Sequence, residues 1–275
     1  MINLFNYIDR PSPIHRLTGA TKLVCLILWS FAGMITYDTR ILILMPVFSV
    51  ALFAISKIRL KDVSFMLAVT AVFMLLNNLM VYIFSPEYGC EIYGSRTLLF
   101  KIAGPYTVTK EQLFYHFNLL LKYLSSIPVI LLFLCTTNPS EFAASLNKIG
   151  VSYKIAYSVA LALRYIPDIQ KEYHDISQAQ QARGIEMSKK ESLWKRLKAA
   201  SAILIPLILS SMDKIEVISN AMELRGFGKN KKRTWYMARR FTWMDFLAMG
   251  LCALLLAASA VDIIVMGSRF WNPFI

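Results

Sequence analysis

Residues 63–84 read VSFMLAVTAVFMLLNNLMVYIF, a run without a single charged side chain, broken mainly by Asn77 and Asn78. A helix needs about 20 apolar residues, within a range of roughly 17–25, to cross the hydrocarbon core of a bilayer, and this run has that length. Comparable runs occur at about 20–37, 41–56, 117–135 and 246–266. The chain of 275 residues is 56% hydrophobic, above the roughly 45–50% of an ordinary soluble domain, and its mean hydropathy is +0.50. The expectation is an all-α, polytopic membrane protein with about five transmembrane helices and a helical cytoplasmic domain. The 41–56 run is short and spans only with help from its flanks. A sixth run, AASAILIPLILSS at 199–211, is broken by Pro206 and suits a buried or interfacial helix better than a span.

A net charge of +13 would point to nucleic acid in a soluble protein, but here its distribution is the better guide. With the N-terminus inside, residues 1–22, 57–62 and 136–243 become cytoplasmic. They hold all of the 30 Lys and Arg except Arg40, Arg96, Lys101, Lys110, Lys122 and Arg269. That bias sets orientation, and the short flanks such as KIRLK at 57–61 carry it most firmly because the rule is strongest for short loops. The excess charge is read as topology, and no nucleic acid is expected. The opening MINLFNYIDRPSPIHRL has no apolar core followed by a small-residue cleavage site, so no removable signal peptide is expected there. Cys25, Cys90, Cys135 and Cys252 are scattered without a C-x-x-C pair and read as packing residues.

Three regions result: a membrane block at 1–136, a cytoplasmic domain at 137–243 and a last span at 244–275. The outer loop 85–112 has Gly and Pro around the β-prone runs TLLF and YTVT, which suggests a small hairpin. In the cytoplasmic part, NPSEFAASLNKIG predicts a short helix over 139–148 that stops at Gly150. A longer helix is expected over 153–183. Its apolar positions Ile155, Val159, Ala162, Ile166, Ile169, Tyr173 and Ile176 recur at alternating steps of four and three, and continuing through Gln180 reaches Arg183. A second, over 201–225, carries Leu204, Ile208, Ser211, Ile215, Ile218 and Met222 in the same rhythm, with Met212 beside it, and reaches Arg225. Such a row is a helix-packing stripe. Pro167 and Pro206 are expected to bend or interrupt the two helices.

The two helices end alike. QAQQARG closes the first at Ala182-Arg183-Gly184, and NAMELRG closes the second at Leu224-Arg225-Gly226. A glycine there suits the left-handed residue that stops a helix. One arginine before it would simply complement the negative end of the helix dipole, worth roughly 0.3–1 kcal/mol. Two, in the same phase of two stripes, favour a docking role, since a guanidinium presents a fork of donors suited to a carboxylate in a groove.

TTNPSEFAASLNKIG, ALRYIPDIQKEYHDISQAQQARG, LIPLILSSMDKIEVISNAMELRGFG and the opening SPIHRLTGATKL together resemble the transmembrane T component (EcfT/CbiQ-like family) of energy-coupling factor (ECF) transporters. The resemblance covers most of the chain in order and is most specific over 136–228. It implies a non-catalytic scaffold, with 137–243 as a coupling domain, in a prokaryotic cell membrane. The implied partners are two ATP-binding-cassette ATPases, which bind the ATP and Mg, and a membrane-embedded substrate-binding S component. It further implies that the tips Ala182-Arg183-Gly184 and Leu224-Arg225-Gly226 each insert into one ATPase, with Ile166, Ile169, Tyr173 and Ile176 and Ile208, Met212, Ile215, Ile218 and Met222 packing the coupling helices. The cargo would be a vitamin or other micronutrient, including cobalt or nickel, chosen by the S component. Two positions depart from the family pattern: Leu224 stands where a small residue is usual, and Ser152 where proline is common.

No phosphate loop is present. Around GFGK, Glu223 stands where the first glycine belongs and Asn230 where Ser or Thr belongs, so no cofactor or metal is expected in this chain. His15, His116 and His174 fall in different regions, which argues against a metal or triad site. The rival readings are an intramembrane enzyme and a basic, membrane-anchored lipid-binding protein. GKNKKR at 228–233 motivates the latter, but is read as a juxtamembrane patch that sets orientation. Trp235, Tyr236 and Trp243 are expected at a bilayer interface. The Asn77 and Asn78 pair is expected to hydrogen-bond between helices, and Asp262 to lie near the outer end of its span.

Overall fold

A computed structural model describes residues 10, 12–103, 106–184, 193–230, 234–236 and 239–273. The chain runs α1 (Pro13–Arg16), α2 (Gly19–Ile35), α3 (Thr39–Ile55), α4 (Leu60–Phe84), α5 (Tyr88–Tyr93), β1 (Leu98–Ala103), β2 (Tyr106–Thr109), α6 (Lys110–Thr136), α7 (Pro139–Lys148), α8 (Tyr153–Ala182), α9 (Leu193–Leu224) and α10 (Trp243–Met266). It is an all-α, polytopic membrane protein with one small antiparallel hairpin, β1–β2, in the segment where the sequence predicts it. Two compact units form: Met1–Asn138 with Arg239–Ile275, and Pro139–Ala238.

In the first unit α4, α6 and α10 are each long and apolar enough to cross a bilayer. The helices α2 and α3 are 17 residues each, about 25 Å at 1.5 Å per residue, short of a hydrocarbon core of about 30 Å. The helix α6 is the hub, packing on α2, α3, α4 and α5, while α10 lies along α2. Trp29, Ala32 and Met45 form a core with Val129, Cys252 and Leu255 around it.

Several polar side chains buried among these helices are paired, because an unpaired donor or acceptor away from water is costly; the hydroxyls of Thr136 and Thr137 are exceptions. Trp29 Nε1 donates to Ser125 Oγ at 3.1 Å and Thr39 Oγ1 to Asn118 Oδ1 at 2.8 Å. The asparagine pair bridges α4 to α6 as expected: Tyr123 donates its hydroxyl to Asn77 Oδ1 at 2.7 Å, and Asn78 Oδ1 lies 3.0 Å from His116 Nδ1. At the N-terminal end of α10, the fully buried Asp245 accepts from the backbone N–H and hydroxyl of Thr242, each at 2.7 Å, and from the N–H of Thr18 at 2.8 Å. One carboxylate thereby caps α10 and ties it to the start of α2. At the opposite end, Phe270 bridges to Tyr37, Arg269 donates to the carbonyl of Ile35, and Lys122 lies over the Tyr37 ring. Asp262 lies toward that end of α10 too.

In the second unit α7 packs on α8, and α8 on α9. The short helix matches its predicted span, and Ser152 caps α8 by accepting from the N–H of Ile155. Serine there starts the helix with a side-chain acceptor for an otherwise unpaired N–H of the first turn. The helix α9 begins at Leu193, eight residues or so before the position expected from its apolar rhythm. Its first turns carry Lys195, Arg196 and Lys198, which conceal the period. Both Pro167 and Pro206 sit inside continuous helices, so of the expected bend or interruption the interruption does not occur.

Candidate functional site

Each doubled ending closes its helix with the same hydrogen bonds. The N–H of Arg183 reaches the carbonyl of Ala179, and the N–H of Gly184 that of Gln181 at 2.9 Å. Correspondingly, the N–H of Arg225 reaches Ala221, and that of Gly226 reaches Glu223 at 2.9 Å. The glycines have φ of 87° and 67°, the left-handed region where an L side chain is strained and glycine is not. At the second ending Phe227 continues the motif: its N–H bonds the carbonyl of Met222 and its ring packs on Tyr153 and Tyr157 with centroids 5.5 and 4.9 Å away.

Both tips stand clear of the unit. Ala182, Arg183, Gly184, Leu224 and Arg225 are exposed, Leu224 at 89%, and Gly226 is half-buried. Neither arginine has a hydrogen-bond or ion-pair partner for its guanidinium among the described residues, so two forked donors are presented outward.

The helices carrying them run antiparallel. Gln180, near the end of α8, donates to the carbonyl of Ala202 near the start of α9, at 3.2 Å. Farther along, Lys214 Nζ lies 2.7 Å from Glu172 Oε2, and Ser210 also donates to Glu172. The Lys214 ammonium, then the Ser210 hydroxyl, hold the Glu172 carboxyl below its usual range. Beyond these, Tyr157 and Arg164 of α8 border one cavity with Met222 and Arg225 of α9. The consequence is geometric: the two tips point from opposite ends of one helix pair.

The predicted stripes divide between contact and surface. Ile166, Ile176, Ile218 and Met222 are half-buried, whereas Ile169, Tyr173, Ile208, Met212 and Ile215 are exposed. Beside Gln180 of the predicted stripe, the most deeply buried positions are Ser177 on α8 and Ala199, Ile203 and Leu207 on α9. An apolar row through Leu204, Ile205, Ile208, Leu209, Met212 and Ile215 is left uncovered.

Residues after the second tip take a part that sequence reasoning missed. Trp235 donates its indole N–H to Asn147 Oδ1 at 3.0 Å and packs toward Tyr157. Tyr236 and Trp243 are exposed. With Trp235 held there, α8, the end of α9 and the residues Phe227, Thr234, Trp235 and Tyr236 border a cavity of about 760 Å³. Arg164 and Arg225 line it, and among the described residues no acidic side chain does. The signal available in the sequence was Phe227, an aromatic residue immediately after the terminating glycine. Lys231, Lys232 and Arg233 of the basic patch lie outside the described residues.

Comparison with known proteins places these features in a lineage. The family described as cobalt transport protein, CbiQ, matches residues 10–236. The energy-coupling factor transporter transmembrane protein EcfT of Bacillus selenitireducens is 28% identical over 96% of this chain and 96% of its own. The protein of that name from Leuconostoc gelidum is 27% identical over 90% of this chain and 91% of its own, and that from Bacillus subtilis 24% identical over 86% and 88%.

Proposed function

Since the chain belongs to the CbiQ cobalt transport protein family, we propose that it is the energy-coupling scaffold of an ATP-driven importer, docking one ATP-binding-cassette ATPase at each of its two arginine tips. The observation that carries this reading is the pair of identical helix endings, with unpartnered Arg183 and Arg225, at opposite ends of one antiparallel pair. Two outward forks in one environment would form one site; at opposite ends they form two.

In this reading ATP and Mg are bound by the ATPases, and this chain performs no chemistry. Each guanidinium pairs with a carboxylate at the base of an ATPase groove, where a forked contact fixes direction as well as position. When ATP draws the ATPases together, the tips follow. The helices α8 and α9 are tied by Glu172, Ser210 and Lys214 at one level and by Gln180 and Ala202 at another, so displacement at a tip is carried along the pair rather than absorbed in one helix. The uncovered row on α9, with Leu209 and Met212 among its members, offers a non-directional surface on which a membrane-embedded S component slides and tilts; apolar and Met-bearing surfaces accommodate such re-packing. The S component selects the vitamin, metal ion or other micronutrient. The N-terminus lies in the cytoplasm of a prokaryotic cell and the tips face the same side, as the clustering of Lys and Arg requires.

Co-purification tests this. Wild type is expected to bring down two ATPases from a co-expressing membrane, and Arg183→Glu with Arg225→Glu together to lose both while remaining inserted. Retention of both ATPases by the inserted double variant would reduce the arginines to helix ends and remove the reading's central residues.

A further inference from the structure

The cavity behind the second tip is not needed to stop a helix, and its chemistry is unbalanced. Arg164 and Arg225 both border it, neither guanidinium has an ion-pair partner among the described residues, and no Asp or Glu lines it. Arg164 stands at this wall without an anion, and a carboxylate entering the cavity would pair with its fork of donors. The surrounding wall is aromatic, with Tyr157, Phe227 and Trp235 among its members. Tyr153 adds a second sign of incompleteness. Its side chain forms part of the wall, it is only 6% exposed, and its hydroxyl is buried without a hydrogen-bond partner. Buried hydroxyls are nearly always satisfied, and this one lies sealed behind the wall, where a small shift of the ring would open it to the cavity.

Arginine, tyrosine and tryptophan around a cavity are the composition of interface hot spots, where a few side chains of the partner are enclosed and dehydrated. The cavity is also continuous with the tip, since Arg225 belongs to both. We propose that it receives an acidic segment of the ATPase docked at Arg225, one carboxylate seating on Arg164 with an apolar neighbour against the rings. Docking at this tip is then reciprocal. The tip enters the ATPase, and a segment of the ATPase enters this chain, so a turning force applied by the ATPase is resisted at two points rather than one. This rests on the reading of Arg225 as a docking residue and adds Arg164 as a specificity determinant, one for which the carboxylate on the partner supplies the match.

The test uses the whole transporter complex in lipid nanodiscs. A photoreactive p-benzoylphenylalanine is incorporated at Leu161 on the cavity wall, at Leu224 on the second tip, or at Ala182 on the first, and the cross-linked peptides are sequenced. The expected result is that Leu161 and Leu224 label the same ATPase, Leu161 at a peptide containing Asp or Glu. In parallel, Arg164→Glu is expected to weaken that ATPase about tenfold and to leave the ATPase labelled from Ala182 unaffected, with Arg164→Lys falling between. Labelling of an ATPase from Leu224 but only of lipid or this chain from Leu161 overturns the inference and leaves the tip reading standing. No ATPase label from either Leu224 or Ala182 removes both. An Arg164→Glu complex with unchanged affinity for both ATPases refutes recognition of an acid.

Discussion

Reversing a single tip should cost the transporter one ATPase and not the other. The helix α8 has 30 residues, about 45 Å of length. Arg183 closes one end, whereas Arg225 lies at the level of Tyr157 near the other, so the guanidiniums are separated by roughly 40 Å. Perturbations more than about 7–10 Å apart with no shared partner add to within about 0.5 kcal/mol. Arg183→Glu or Arg225→Glu removes a forked, charge-assisted contact and sets like charges together, an expected loss of about 2–4 kcal/mol per site, or roughly 30- to 1,000-fold in affinity. The assay is titration of purified ATPases onto the immobilised chain in nanodiscs without nucleotide, so that the ATPases do not clasp each other. Each single variant should weaken one ATPase, and the double variant should lose the sum of the two. A single reversal that expels both ATPases, or a coupling above about 1 kcal/mol, would refute two separate sites and leave one composite surface.

Gly184→Ala and Gly226→Ala each place a side chain where φ is 87° or 67°, at about 1–2 kcal/mol; ATPase capture should fall severalfold with membrane insertion unchanged, and unchanged capture by both would show that tip geometry is immaterial. Asp245→Ala strips the acceptor from the Thr18 N–H and from Thr242, at about 2–4 kcal/mol, so the detergent-solubilised protein should lose several degrees of thermal stability, with Asp245→Asn between it and wild type. Lys214 and Ser210 lower the Glu172 pKa from its ordinary 4.5. Its stabilising contribution is therefore complete above about pH 4.5 and is lost as pH falls through the lowered value. Hydrogen exchange in the second half of α8 should accelerate only on such acidification, and Glu172→Gln should abolish the acid step.

Much of this was legible because it is local. Span length and apolar content are properties of a few turns, so 63–84 and 246–266 announce α4 and α10. Helix endings are equally local: a glycine that accepts positive φ, preceded by arginine, is one short motif, and both copies fold as read. The limits of α7 follow from a proline start and a glycine stop. The bridging by Asn77 and Asn78 was foreseeable from the cost of an unpaired amide in hydrocarbon, although their partners, Tyr123 and His116 on a helix far along the chain, were not.

What the tertiary structure alone decided depends on where another element lies. Periodicity reveals that Ile208, Met212 and Ile215 share a face, but burial goes to whichever row the neighbouring helix reaches, and here α8 reaches Ile203 and Leu207. Residue type gives Trp235 no particular partner, and its hydrogen bond to Asn147 joins positions distant in sequence. Above all, the duplicate endings say nothing about direction. Their placement at opposite ends comes from antiparallel packing, a long-range contact set by Gln180 with Ala202 and Glu172 with Lys214. Local free energies wrote the two tips into the sequence; only the pairing of helices distant in the chain determined that they face apart.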